Sequence, residues 1–88
     1  MSRGTMETKQ IFGKRLRELR QKAGLQQGEL GEQVGLSNNG IGMMERGYRG
    51  TTIEKLVLLA EYFHVSTDYL LGITDDPTWR GGPSAPSA

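Results

Sequence analysis

The stretch QGELGEQVGLSNNGIGMMERG, residues 27–47, decides the fold. Leu30 and Val34 stand four apart, the spacing of one helix face, and Gly35 closes that segment. Ser37 then offers an N-cap to a second short helix that carries Ile41 and Met44 and stops at Gly47. Leu30, Val34, Leu36, Ile41 and Met44 supply apolar groups to lock the two helices together across the short turn at Gly35. Gly31 falls where the helices cross. The crossing is expected to tolerate Ala there but not Val or Leu, which would part the two helices.

The flanks extend the same pattern. Phe12, Leu16, Leu19 and Ala23 follow an i, i+4, i+7, i+11 spacing and predict an amphipathic helix over residues 8–23, with Gly24 as its stop. Thr51 and Glu54 read as a T-x-x-E capping box. Ile53, Leu56, Val57, Leu59, Ala60 and Phe63 drive the helix after it. Ser66 caps a last short helix with Tyr69, Leu70 and Leu71, ended by Gly72. No alternating strand pattern and no internal repeat appears, so the expectation is an all-α domain of five helices over residues 8–73. Its expected core is Phe12, Leu16, Leu19, Leu30, Val34, Ile41, Met44, Ile53, Leu56, Leu59, Phe63, Val65 and Leu70. Residues 1–7 read as a disordered arm. Residues 74–88, rich in Gly, Pro, Ser and Ala, read as a disordered tail or hinge, which suggests a fragment of a longer protein.

Composition narrows the function classes. The chain has 88 residues, enough for one small domain. It has no cysteine, and His64 is its only histidine, so disulfides and a zinc site of usual composition are excluded. No apolar run reaches the roughly 18 residues of a membrane helix, and no secretory leader is visible. No nucleophile is paired with a base, so no enzyme, cofactor or small-molecule ligand is expected. Net charge is only +1. Residues 1–24, however, carry seven cations against two anions, whereas residues 51–88 carry two against five. One end of the chain suits a polyanion and the other does not.

Two short helices locked across a glycine turn have the geometry of a helix-turn-helix. Here the sequence resembles the lambda-repressor-like helix-turn-helix family of bacterial and phage transcriptional regulators, most of all the short DNA-binding domains of lambdoid phage repressors. The resemblance runs from Phe12 to Gly72. It rests on LRELRQKAGL in the first helix, QxELxEQVGLS, the ERG after the second helix of the motif, and the ending VSTDYLLG. The chain departs from the family pattern at four places. Gln26 stands where Ser usually starts helix 2, and Gly31 replaces Ala at the crossing. Thr51 and Thr52 stand where proline often follows the loop. His64 replaces a helix-ending Gly and is expected in the left-handed conformation at some cost. Helical glycines at 28, 31, 40 and 42 each cost about 1 kcal/mol relative to Ala, a notable sum for a small domain.

The resemblance implies a sequence-specific double-stranded DNA-binding transcriptional regulator, a repressor, in the prokaryotic or phage-infected cytoplasm at the nucleoid. Its recognition helix, residues 38–46, would enter the major groove N-terminus first, as part of a homodimer on a pseudo-palindrome. Base reading then falls to Asn38, Asn39 and Met43. An Asn amide matches adenine N6 and N7, and Met43 suits a thymine methyl. Gln27, Tyr48 and Arg49 fall to phosphates, and Gln27 also braces the recognition helix. Arg20 and Glu45 are expected to form an ion pair that positions the helix, while Lys14, Arg15, Arg17 and Lys22 are expected to be solvated. Tyr62, Tyr69 and Trp79 are candidates for the dimer surface, and Tyr69 serves the core equally well. A second reading is an antitoxin or other protein-interaction module on the same fold.

Overall fold

The computed structural model describes residues 7–79, and the expectations for residues 1–6 and 80–88 lie outside it. Five helices follow in order: α1 Thr8–Lys22, α2 Gln27–Val34, α3 Asn38–Glu45, α4 Ile53–Phe63 and α5 Thr67–Leu71. None is long and apolar enough to cross a membrane.

Local hydrogen bonds fix where the helices begin. Ser37 Oγ accepts from Gly40 N at 2.9 Å, and Ser66 Oγ accepts from Tyr69 N at 3.0 Å. Gln26 is a weak cap by side chain, but its own N–H donates to Glu29 Oε1 at 2.7 Å, which satisfies one orphan donor of α2. The helix 4 cap differs from expectation. Thr52, not Thr51, is the N-cap: its Oγ1 accepts from Lys55 N at 3.1 Å. The residue three places on is then a lysine, so no T-x-x-E box forms. Glu54 instead sits in the first turn, where the helix dipole favours a negative charge.

The core is built from Phe12 and Leu16 of α1, Leu30 and Val34 of α2, Ile41 and Met44 of α3, Leu59 and Ala60 of α4, Val65, and Leu70 of α5. Leu19, Leu56 and Phe63 pack against it half-buried. Ile53 does not join it and is 77% exposed. It points in the same direction as Ala60, but two turns earlier, at the first position of α4 and past the surface that buries Ala60.

Backbones approach most closely at two glycines. A Cβ on Gly31 would overlap the carbonyl oxygen of Leu36, so the expected tolerance of Ala is corrected: the approach has room only for hydrogen. A Cβ on Gly13, buried in α1, would overlap the carbonyl oxygen of Met44, which lets α1 lie directly on the end of α3. At the end of α4, His64 takes the left-handed conformation, φ 58°, that a glycine usually supplies.

Residues 74–79, expected to belong to the tail, lie against the helical body. Arg15 is not solvated. Its Nη1 donates to the carbonyls of Tyr69 and Thr74 at 2.5 and 2.6 Å, its Nη2 meets Asp75 Oδ1 at 2.6 Å, and its guanidinium lies 4.2 Å over the Tyr69 ring. The chain then turns back along Val65. Ser66 N donates to Pro77 O at 3.1 Å, Val65 and Thr78 form an antiparallel bridge, and Trp79 packs on the core. The Trp79 ring stacks on His64 at 5.2 Å.

Candidate nucleic-acid interface

The inward side of α3 is given wholly to packing. Gly40, Ile41 and Met44 are buried, while Asn38 and Asn39 are exposed and Met43 is half-buried. Helical periodicity produces this division, since residues 41 and 44 share a face that 39 and 43 do not. The Ser37 cap fixes the N-terminus of α3 and so leaves the two asparagines at the free end.

A charged network holds the other end of α3. Arg20 Nε donates to Glu45 Oε2 at 2.5 Å and Nη2 donates to Oε1 at 3.0 Å, while Nη1 donates to the Leu25 carbonyl at 2.8 Å. The two side chains are 12% and 3% exposed. Hydrogen bonding to Glu45 pushes the Arg20 pKa above the ordinary arginine value; burial opposes the shift and the Glu45 charge adds to it. The carboxylate has a third partner, the Gln27 amide, which donates to Oε1 at 3.0 Å. One buried carboxylate thus ties α1, the start of α2 and the last turn of α3 together, with its lone pairs satisfied.

Gln27 is therefore turned toward the body rather than outward. It lies against Gly42, where an added Cβ would sit 3.4 Å from its Oε1, an ordinary contact. The first turn of α2 meets the first turn of α3 at Gly28 and Asn38, forming the wall of a shallow cleft with Gln26 and Glu32. After α3, Tyr48 stands 64% exposed, and Arg49 bends back so that its guanidinium lies over Gly40. Asn38, Asn39 and Arg49 thus cluster about the N-terminal half of α3, Gln27 reaches its C-terminal half at Gly42 and Glu45, and Tyr48 stands on the loop. Sequence reasoning missed the close approach at Gly13, and it gave Gln27 a bracing role toward α3 without naming Glu45 as the partner. Each is a contact between residues far apart in the chain, and no local pattern signals it.

Comparisons with known proteins agree with this architecture. A model of the helix-turn-helix family matches residues 16–70. The HTH-type transcriptional regulator ImmR of Bacillus subtilis is 48% identical over 61 residues, which cover 69% of this chain and 48% of that protein. Repressor protein C2 of Salmonella phage P22 is 39% identical over 62 residues, covering 70% of this chain and 29% of that protein. The chain thus spans about half of one of these curated relatives and less than a third of the other. The crystal structure of the P22 c2 repressor with a synthetic operator is similar at a TM-score of 0.67 and 39% identity, over 70% of this chain and 94% of that one. The matched span holds both helices of the turn, the Arg20–Glu45 brace and most of the core, and the chain belongs to the helix-turn-helix family in its lambda-repressor-like form.

Proposed function

We propose that this chain is a sequence-specific double-stranded DNA-binding transcriptional repressor, working in the prokaryotic or phage-infected cytoplasm at the nucleoid. The observation that carries the reading is the division of α3: one side is fixed by core packing and the buried Arg20–Glu45–Gln27 network, and the other presents Asn38 and Asn39 exposed and Met43 half-buried. An element held so firmly with a free polar face suits docking as a rigid body in a major groove. Asn38 and Asn39 read adenines, each worth about 1–3 kcal/mol of discrimination, and Met43 packs on a thymine methyl. Gln27, Tyr48 and Arg49 contact phosphates, Gln27 also bracing α3. The reading involves no catalysis, cofactor or small ligand. Two copies on a pseudo-palindrome, half-sites about 34 Å apart, complete the arrangement. Of the three aromatic candidates for the dimer surface, Tyr69 lies under Arg15 and Trp79 stacks on His64, which leaves Tyr62, 41% exposed on α4.

Selection from a pool of random duplexes tests this. The expected result is a palindromic motif whose affinity falls steeply with salt, through counterion release. Failure to select any duplex would favour the protein-interaction reading instead.

A further inference from the structure

Helix geometry places a cation on the reading face that the sequence did not single out. At about 100° per residue, Arg46 lies within roughly 20° of Asn39, and Met43 lies about 40° to the other side. Asn38 lies on the flank beside Gly28. Asn39, Met43 and Arg46 therefore form the centre of the outward sector. Arg46 is the C-cap of α3, held there by its N–H to the Gly42 carbonyl at 3.1 Å. Its side chain is exposed and has no hydrogen-bond or ion-pair partner among the described residues, unlike Arg15 and Arg20.

We propose that Arg46 is a further base-reading residue, taking one guanine of the operator through N7 and O6. The inference rests on the DNA-binding reading above and adds a base to it. Two arguments favour a base over a phosphate. Side chains on a helix lean toward its N-terminus, so the Arg46 side chain has the reach to extend back toward Met43 and the groove floor when the N-terminus leads. The planar fork of Arg matches the paired acceptors that guanine alone presents in the major groove. Seven residues separate Arg46 from Asn39, about 10.5 Å along the helix or roughly three base steps.

The test uses the full chain, its Arg46→Ala and Arg46→Lys variants and Asn39→Ala, each selected against the same random duplex pool. Melting curves first check that the variants fold, as an exposed, unpartnered side chain leads one to expect. The parent motif should hold a G·C pair roughly three steps from the pair whose preference Asn39→Ala erases. Arg46→Ala should lose that G preference alone, and affinity for the parent site should fall roughly 5- to 150-fold. Arg46→Lys should keep a G preference weaker than the parent's, because an ammonium can bridge N7 and O6 but lacks the fork. An intact G preference in Arg46→Ala, with uniform weakening over all duplexes, would identify a phosphate contact and overturn the proposal. So would a parent-like motif in both variants, which leaves the DNA-binding reading standing. If the parent itself selects nothing, both fall.

Discussion

Arg20 and Glu45 meet fork to fork between α1 and the end of α3, with the carboxylate almost wholly out of water. Removing either partner strands the other, so Arg20→Ala and Glu45→Ala should each cost about 3–5 kcal/mol in denaturant unfolding. Losses below about 1 kcal/mol from both would mean that the pair behaves like a surface contact. Because the Arg20 pKa is raised, its contribution is present below the ordinary arginine value and is lost only as pH climbs above it. Unfolding between about pH 6 and 9 should show no titration from this group.

The glycines should separate into two classes. Gly13→Ala and Gly31→Ala push a methyl into backbone carbonyls and should lower the melting temperature. A methyl on Gly28 meets only Asn38 carbons at 3.9 Å, an ordinary contact. Gly28→Ala should gain about 0.5–1 kcal/mol, or several degrees.

His64 carries two opposed effects, left-handed strain and a stack on Trp79. His64→Ala keeps the strain and loses the stack, so it should be less stable than the parent. His64→Gly loses both. It should therefore melt above His64→Ala by an amount worth about 1–2 kcal/mol.

Arg15→Ala should loosen residues 74–79, since Arg15 ties the Thr74 carbonyl and Asp75 to the Tyr69 carbonyl and leaves the Ser66–Pro77 bond, the Val65–Thr78 bridge and the Trp79 contact to hold the segment. Faster amide exchange at Ser66, whose N–H is bonded to Pro77, is the expected readout. Asp75→Ala should change little, because that carboxylate is 97% exposed.

Much of this fold is legible in the sequence where the controlling physics is local. Leu16, Leu30, Ile41 and Leu70 declare their faces by spacing, and Ser37 and Ser66 declare their helix starts. Thr51 and Thr52 are adjacent and equally able to cap, so the one-residue difference falls below what a local pattern resolves. Ile53 has an apolar side chain and the right periodicity, but whether a neighbour covers it depends on where α4 begins relative to the body. Gly13 looks like a propensity cost until the Met44 carbonyl is placed beside it. Asp75, Asp76 and Pro77 have the composition of a loop, and contacts with Arg15, Val65 and Ser66 give that segment its place. On α3, the asparagines at the helix start were readable. The brace from Gln27 to α3 followed from the family resemblance, whereas its partner Glu45 was not readable, because it lies on another helix.

The groups that hold α3 and the groups that face outward from it are different residues. Ile41, Met44, Glu45 and the Ser37 cap anchor the helix, whereas Asn38, Asn39, Met43 and Arg46 contribute little to keeping it in place. The address and the scaffold can therefore diverge independently. On the proposed DNA-binding reading, descendants of this chain can exchange the four outward side chains, and so retarget to new operators, without giving up the fold.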